Sequence, residues 1–212
     1  MPTPSNSSVI IARCACCVRG SAASQRQRGW KLYSFHAPEV ECIGKGKASA
    51  PYEFGVKASV VTTNARAPGG QFVLHAKALH GNPFDGHTLG PVITEPETLT
   101  GVETRRTHVD KGYRGHTHQE KFRVWITGQA RRVTAPIRRE MKRRAAVEPV
   151  IGHVKAEHRM HRNYLKGRLG DRINAVLAAA GYNFGLLLRW LAELLRAIIR
   201  AFAEIVAAPR LN

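Results

Sequence analysis

Asp110 and Glu148 are carboxylates placed where they can do chemistry. Asp110 ends the strand-like run Thr107-His108-Val109-Asp110 and precedes the turn Lys111-Gly112-Tyr113-Arg114-Gly115. Glu148 lies between Arg144 and Lys155, inside one of the most basic stretches of the chain. Hard oxygen donors amid positive charge suit a divalent cation working on a polyanion. Magnesium takes one or two carboxylates and completes its shell with water and phosphate. Two such ions clamp the attacking and leaving oxygens of a phosphoryl displacement. At the carboxyl end of a strand, Asp110 would stand where open α/β sheets hold their ligands. At the start of a helix, Glu148 would feel the positive end of the dipole, which favours its ionised form. Lys155, seven positions on, shares nearly the same helical face. The rival reading of any such acid is a structural ion pair with a neighbouring arginine.

Those residues need elements to hold them. Residues 1–30 contain no acidic residue and show no apolar period, so an irregular or disordered arm is expected there. Residues 31–208 are expected to form the folded domain. Tyr52 to Thr62 alternates and is rich in β-branched residues, which predicts a strand. Residues 64–70 supply a turn, and Gln71 to Ala78 a returning strand. A helix over 87–99 is weakened by Gly90 and Pro91. Glu103 to Asp110 and Phe122 to Thr127 read as strands. Two basic helices follow, over 137–146 and 148–160, with Pro149 acceptable in a first turn. A long helix begins near Asp171, a residue suited to its N-cap. Its apolar stripe (Phe184, Leu187, Leu191, Leu194, Ile198, Phe202, Ile205) fits packing on the domain's own core, with a dimer or membrane-surface contact as the rivals. The order predicts a mixed α/β or α+β domain.

Composition narrows the partner. Lys and Arg number 33 against 15 Asp and Glu, a formal net charge of +18. Residues 121–172 hold much of that excess, with apolar residues interleaved, so a folded basic surface is expected rather than a tail. Such a field draws in phosphate backbones, with steep salt dependence. Arg143, Arg144, Lys155 and Arg159 are the expected DNA contacts. The longest uncharged apolar run, 173–188, is short of a bilayer span, so no membrane partner is expected and a cytoplasmic location is. Cys14, Cys16, Cys17 and Cys42 give one nominal Cys-x-x-Cys without a matching pair, and reduced thiols are the expectation.

Arg144, three residues, Glu148, six residues and Lys155 resemble the Y-(2)-R-(3)-E-(6)-K signature of DDE-type insertion-sequence transposases, with Met141 at the Tyr position. Val109 to Gly115 is similar to the segment carrying the second catalytic Asp of those enzymes. Lys31 to Val61, Gly81 to Leu89 and Ala179 to Trp190 look typical of the insertion-sequence-five group. The resemblance covers residues 31–200. It implies an RNase H-like mixed sheet with flanking helices and a Mg2+ (or Mn2+) site at Asp110 and Glu148. It implies cleavage and strand transfer on double-stranded DNA, a bacterial nucleoid location and a homo-oligomer when active. The family's first Asp lies on the first strand, upstream of the part similar to 31–61, and nothing in 1–30 is acidic. A truncated or frameshifted transposase without that strand is therefore expected. Glu39 or Glu41 is a weak substitute. The alternative is a non-catalytic, basic DNA-binding remnant.

Other candidates carry less. His153, Glu157 and His158 have the wrong helical spacing for a zinc hydrolase. Trp125, Tyr164 and Trp190 could stack on bases, although each is expected in the core.

Overall fold

The computed structural model describes residues 8–15, 31–45, 48–49, 51–65, 68–118, 123–131 and 133–207. Its elements are β1 (Ser8–Ala15), β2 (Glu41–Gly44), β3 (Tyr52–Gly55), β4 (Lys57–Thr63), β5 (Val73–Leu79), α1 (Asp85–Thr100), β6 (Arg106–Val109), β7 (Arg123–Ile126), α2 (Ala135–Arg143), α3 (Val147–Ala156) and α4 (Gly167–Ala207). The protein is mixed α/β, as expected. Five strands form one sheet in the order β5-β4-β1-β6-β7, and β2 pairs with β3 in a separate ribbon. β1 runs antiparallel to β4 and parallel to β6; β6 is parallel to β7, and β4 antiparallel to β5.

β1 corrects two expectations. The segment 8–15, assigned to an irregular arm, is the central strand, and the sheet does not lack a strand in its middle. Val9-Ile10-Ile11 is a β-branched run that favours a pleated, buried setting. It is short and followed by a cysteine-rich stretch, which masked it in the sequence. Residues 1–7 and 16–30, including Cys16 and Cys17, lie outside the described residues.

Helices cover both faces of the sheet. On one face Leu89, Val92 and Ile93 of α1 pack with Val61, Val109 and Tyr113. On the other, Val150 and Val154 of α3 join Ala175, Ala178, Ala179, Tyr182 and Leu186 of α4 over Ala58, Val60, Val73 and Ala76. β4, lying between the layers, is buried along nearly its whole length. α1 survives Pro91 and Pro96 with help from threonines. Thr94, Thr98 and Thr100 donate hydroxyls to the carbonyls of Gly90, Thr94 and Pro96. It ends on Gly101 at φ 67°, whose N–H donates to the Glu97 carbonyl, a left-handed C-cap that suits glycine.

α4 departs from the sequence reading in start and in facing. It begins at Gly167, not Asp171. Gly167 N–H donates to Glu39 Oε1 at 2.6 Å, while Asp171 accepts from Asn163 at 2.8 Å and pairs with His80 at 3.1 Å. The stripe expected in the core is instead exposed, Leu191 at 61% and Phe202 at 64%. Small residues face the sheet because α4 approaches β5 closely. Asn183 seals that contact: its Oδ1 accepts from Val73 N–H at 2.9 Å and its Nδ2 donates to the Val73 carbonyl at 2.7 Å. Trp190 donates to the Pro68 carbonyl and stacks edge-on against Phe72. On the uncovered side, Ile173, Leu177, Ala180, Phe184, Leu187, Leu191, Leu194, Ile198, Ala201 and Ile205 step alternately by four and three residues. Arg189, Glu193, Arg196, Arg200 and Glu204 occupy the opposite face of the helix, beyond Leu186, the last fully buried residue.

Candidate functional site

Strand alternation assigns Asp110 its face. Val109 turns toward α1, so Arg106, His108 and Asp110 turn toward the side that carries α3. The register agrees: His108 shares a rung with Ile10, and Ile10 with Thr62, which lies two positions from Val60 and so on the face that carries α3 and α4. Asp110 is half-buried, with extended backbone, at the carboxyl end of β6. Its Oδ1 accepts from Gly112 N–H at 2.7 Å, which ties the carboxylate into the turn that follows. Tyr113, 1% exposed, packs beneath that turn against α1.

The turn is braced from the α1 side. A Cβ on Gly86 would stand 2.7 Å from the Phe84 ring and 2.8 Å from His116 Cα, so only glycine lets α1 meet the loop after Asp110. One residue earlier, Asp85 is buried and paired with Lys57 at 2.6 Å; Lys57 also donates to the Pro83 carbonyl at 2.6 Å. Thr88 donates to the Asp85 carbonyl at 2.8 Å, and Leu89 is fully buried. The segment Gly81–Leu89 thus has physical work to do: it docks α1 on the sheet and limits where the Asp110 turn can go.

A buried cluster lies on the same strand face as Asp110. Glu140 of α2, 3% exposed, accepts from Arg106 through Oε1 at 2.9 Å and pairs with His108 Nε2 through Oε2 at 3.0 Å. Asn64 Nδ2 donates to the Glu140 carbonyl at 3.2 Å. Burial pushes the His108 imidazole below its ordinary range, against the upward pull of Glu140, and Arg106 and Arg143 lower it further. His108 is therefore held neutral at pH 7. This cluster fixes α2 to β6, and the short 3-10 turn Arg144–Ala146 leads at once from α2 into α3. Sequence reading missed Glu140 as a positioning residue. The available signal was a single acid among Arg138, Arg139, Lys142 and Arg143, three positions after the buried Ile137.

Glu148 lies in the first turn of α3 and is exposed, while Val147, Val150 and Val154 of the same helix are buried. Lys155 is half-buried in the last turn, and its carbonyl accepts from His161 Nδ1. Of the four expected DNA contacts, Arg144 and Lys155 are half-buried and Arg159 is exposed at φ 57°, where the chain leaves α3. Arg143 differs: it is half-buried near enough to His108 to influence its titration, and its Nε is buried. It belongs in part to the Glu140 cluster. Arg138, Arg139, Lys142, Arg162, Lys166, Arg168 and Arg172 are exposed and continue the basic surface. Tyr164, expected in the core, is 72% exposed within it; Trp125 is buried, as expected.

Asp110 turns to the face over which α3 packs, and Glu148 is exposed on the first turn of α3; carboxylate oxygens are hard donors of the kind a divalent cation completes with water and phosphate. A bridged pair of ions would need a further carboxylate. Among the described residues no cluster of three or more His, Cys, Asp or Glu side chains is placed to hold a metal. Glu41 accepts from Gly81 N–H, and Glu39 accepts from Gly167 N–H at the start of α4, so both of the weak substitutes hydrogen-bond within the fold. Glu157 is drawn to His153 at 2.5 Å, a local i,i+4 contact. A cavity of about 180 Å³ between α1 and the sheet is lined by Val61, Leu74, Ile93, Pro96, Glu97, Thr100, Val102 and Thr104. It lies toward the opposite end of β6 and is almost wholly apolar.

The class defined by these observations is a mixed α/β protein with a five-stranded sheet, helices on both faces and a basic surface beside one acidic strand end. No family model, curated protein or solved structure matches the chain.

Proposed function

We propose that this protein is a DNA-binding domain of the DDE-transposase type, with an RNase H-like sheet and an incomplete acidic centre. The observation that carries the reading is topological. A mixed sheet ordered β5-β4-β1-β6-β7, with β4 antiparallel to β1 and β5, and an acid ending the strand beside β1, supports that reading. The spacing of Arg144, in the 3-10 turn before α3, from Glu148 and Lys155 on that helix supports it further.

In this reading the exposed arginines and lysines from α2 through the start of α4 contact phosphates and set the register on DNA. Lys155 and Arg144 orient the phosphodiester, and the Gly112 N–H fixes the orientation of the Asp110 carboxylate. A divalent ion held by Asp110 and Glu148 would supply Lewis-acid polarisation of the phosphate. The second reading, a binding protein without cleavage, is favoured by one observation: β1 offers no carboxylate.

Calorimetric titration of Mn2+ into the purified chain tests the acid pair. Binding is expected, and Asp110→Asn or Glu148→Gln should each abolish most of it. Wild-type protein that takes up no ion, or variants that bind like wild type, would remove the metal from the proposal. Duplex-DNA anisotropy tests the basic surface separately: Arg144→Ala with Lys155→Ala should weaken binding by roughly tenfold or more at low salt. Unchanged affinity would place the DNA contact elsewhere.

A further inference from the structure

We infer that the exposed face of α4 is a self-association surface, and that its occupant is α4 of a second copy of this chain. The inference stands whether or not the protein handles DNA.

The feature is an apolar seam with no cover. From Ile173 to Ile205 the seam positions alternate in steps of four and three residues, and all but the half-buried Ala180 are exposed. Phe184 is 64% exposed, Leu194 58% and Ile205 71%. Flanking residues such as Leu188 and Phe202 widen the stripe. At roughly 100 Å² for each such side chain the stripe exposes on the order of 1,500 Å², well beyond the largest patch of a typical monomer. A standard interface needs about 800 Å² from each partner. One copy therefore offers more apolar surface than a stable pair must bury.

The period says what kind of surface fits. A straight α-helix drifts about 20° per heptad against a 3.5-residue repeat, so a strict repeat keeps its seam aligned only against another helix that supercoils with it. A lipid surface or a flat protein face makes no such demand on spacing. The charges agree, because Arg189, Glu193, Arg196, Arg200 and Glu204 lie on the side away from the seam. Beyond Trp190, which still meets Phe72 and the Pro68 carbonyl, the apolar side of the rest of α4 stands in water unless matched. An isologous pair matches the whole stripe with itself, the commonest closed symmetry among soluble oligomers.

The rival partner is a membrane. Residues 167–206 include a stretch apolar enough by composition to cross one, at mean hydropathy 1.3. That is a departure from the sequence expectation, which considered only the uncharged run. The two partners respond oppositely to salt: helix pairing of a basic chain tightens as like charges are screened, whereas attraction to anionic lipid weakens.

The test uses the full chain, by sedimentation velocity at 0.15 and 0.5 M salt. The protein is expected to sediment at twice 23.4 kDa or a higher multiple, at both salts. Leu191→Glu with Ile198→Glu should shift it to 23.4 kDa without loss of helical circular dichroism, since both side chains are exposed in the single chain. Arg189→Glu with Arg196→Glu, on the opposite face, should leave the assembly intact. A wild-type chain that stays at 23.4 kDa at tens of micromolar overturns the inference. So does an assembly insensitive to the seam variant, or equally sensitive to the control. A monomeric chain that co-floats with phosphatidylglycerol vesicles, released by 0.5 M salt, would assign the stripe to membrane instead.

Discussion

Burying Glu140 between Arg106 and His108 ties two elements together through a single side chain. Removing it takes the carboxylate from between the buried His108 imidazole and the partly exposed Arg106 guanidinium. Glu140→Ala is expected to cost about 3–5 kcal/mol in urea unfolding, and a loss under about 1 kcal/mol would show that the cluster is not structural. The same site sets a pH dependence. Burial holds His108 and His75 below their ordinary range, so the unfolded chain binds more protons once the pH falls below about 6.5. Stability is therefore fully present above that value and declines as pH drops through it toward the folded values. Unfolding at pH 7.5, 6.5 and 5.5 should show this fall, and His108→Gln should flatten it. An equally steep fall in that variant would assign the effect elsewhere. Lys57 and Asp85 form a comparable buried pair on the α1 face, and both act at the end of the sheet near Asp110.

At the scale of elements, two glycine-dependent and register-dependent features invite substitution. Gly86→Ala pushes a methyl into His116 Cα and the Phe84 ring, so α1 or the turn after Asp110 must shift. A loss of about 1–3 kcal/mol is expected, with chemical-shift changes concentrated at 110–118 if spectra are recorded. On β1, Ala12 follows Ile11, the partner of Val109, and pairs with Val60. Ala12→Asp would add a carboxylate abreast of Asp110, and tighter Mn2+ binding than wild type is the expected outcome; no gain would argue against a shared ion. Most strands and helices were legible because alternation and apolar spacing are local properties. Tyr52–Thr62 was read as one strand, although Gly55 at φ 144° divides it into β3 and β4. β1 was not legible, since its pairing partners lie far along the chain. The facing of α4 was misread for a related reason: both sides of the helix are apolar, and spacing alone does not say which meets the sheet. Asp110 and Glu148 stood out by context. The Glu140 cluster did not, because burial of an acid among arginines is a tertiary fact.

The whole molecule carries its charge unevenly, with the basic surface on α2, α3 and the approach to α4, while the far half of α4 projects as an apolar arm. DNA affinity is expected to fall linearly on a log–log salt plot, each lost phosphate contact reducing the slope by about 0.9. Variants in α2 and α3 should change that slope, and those in the α4 seam should not. One consequence concerns synthesis. β1 joins the β5–β4 half of the sheet to the β6–β7 half, so of the five strands the one translated earliest is the one both halves await. It must stay unpaired until β4 follows, and its other edge must wait for β6, while translation proceeds at about 5–20 residues per second. Chaperone capture of nascent chains halted before residue 57 should therefore concentrate on 8–15, and subside once the partner strands have emerged.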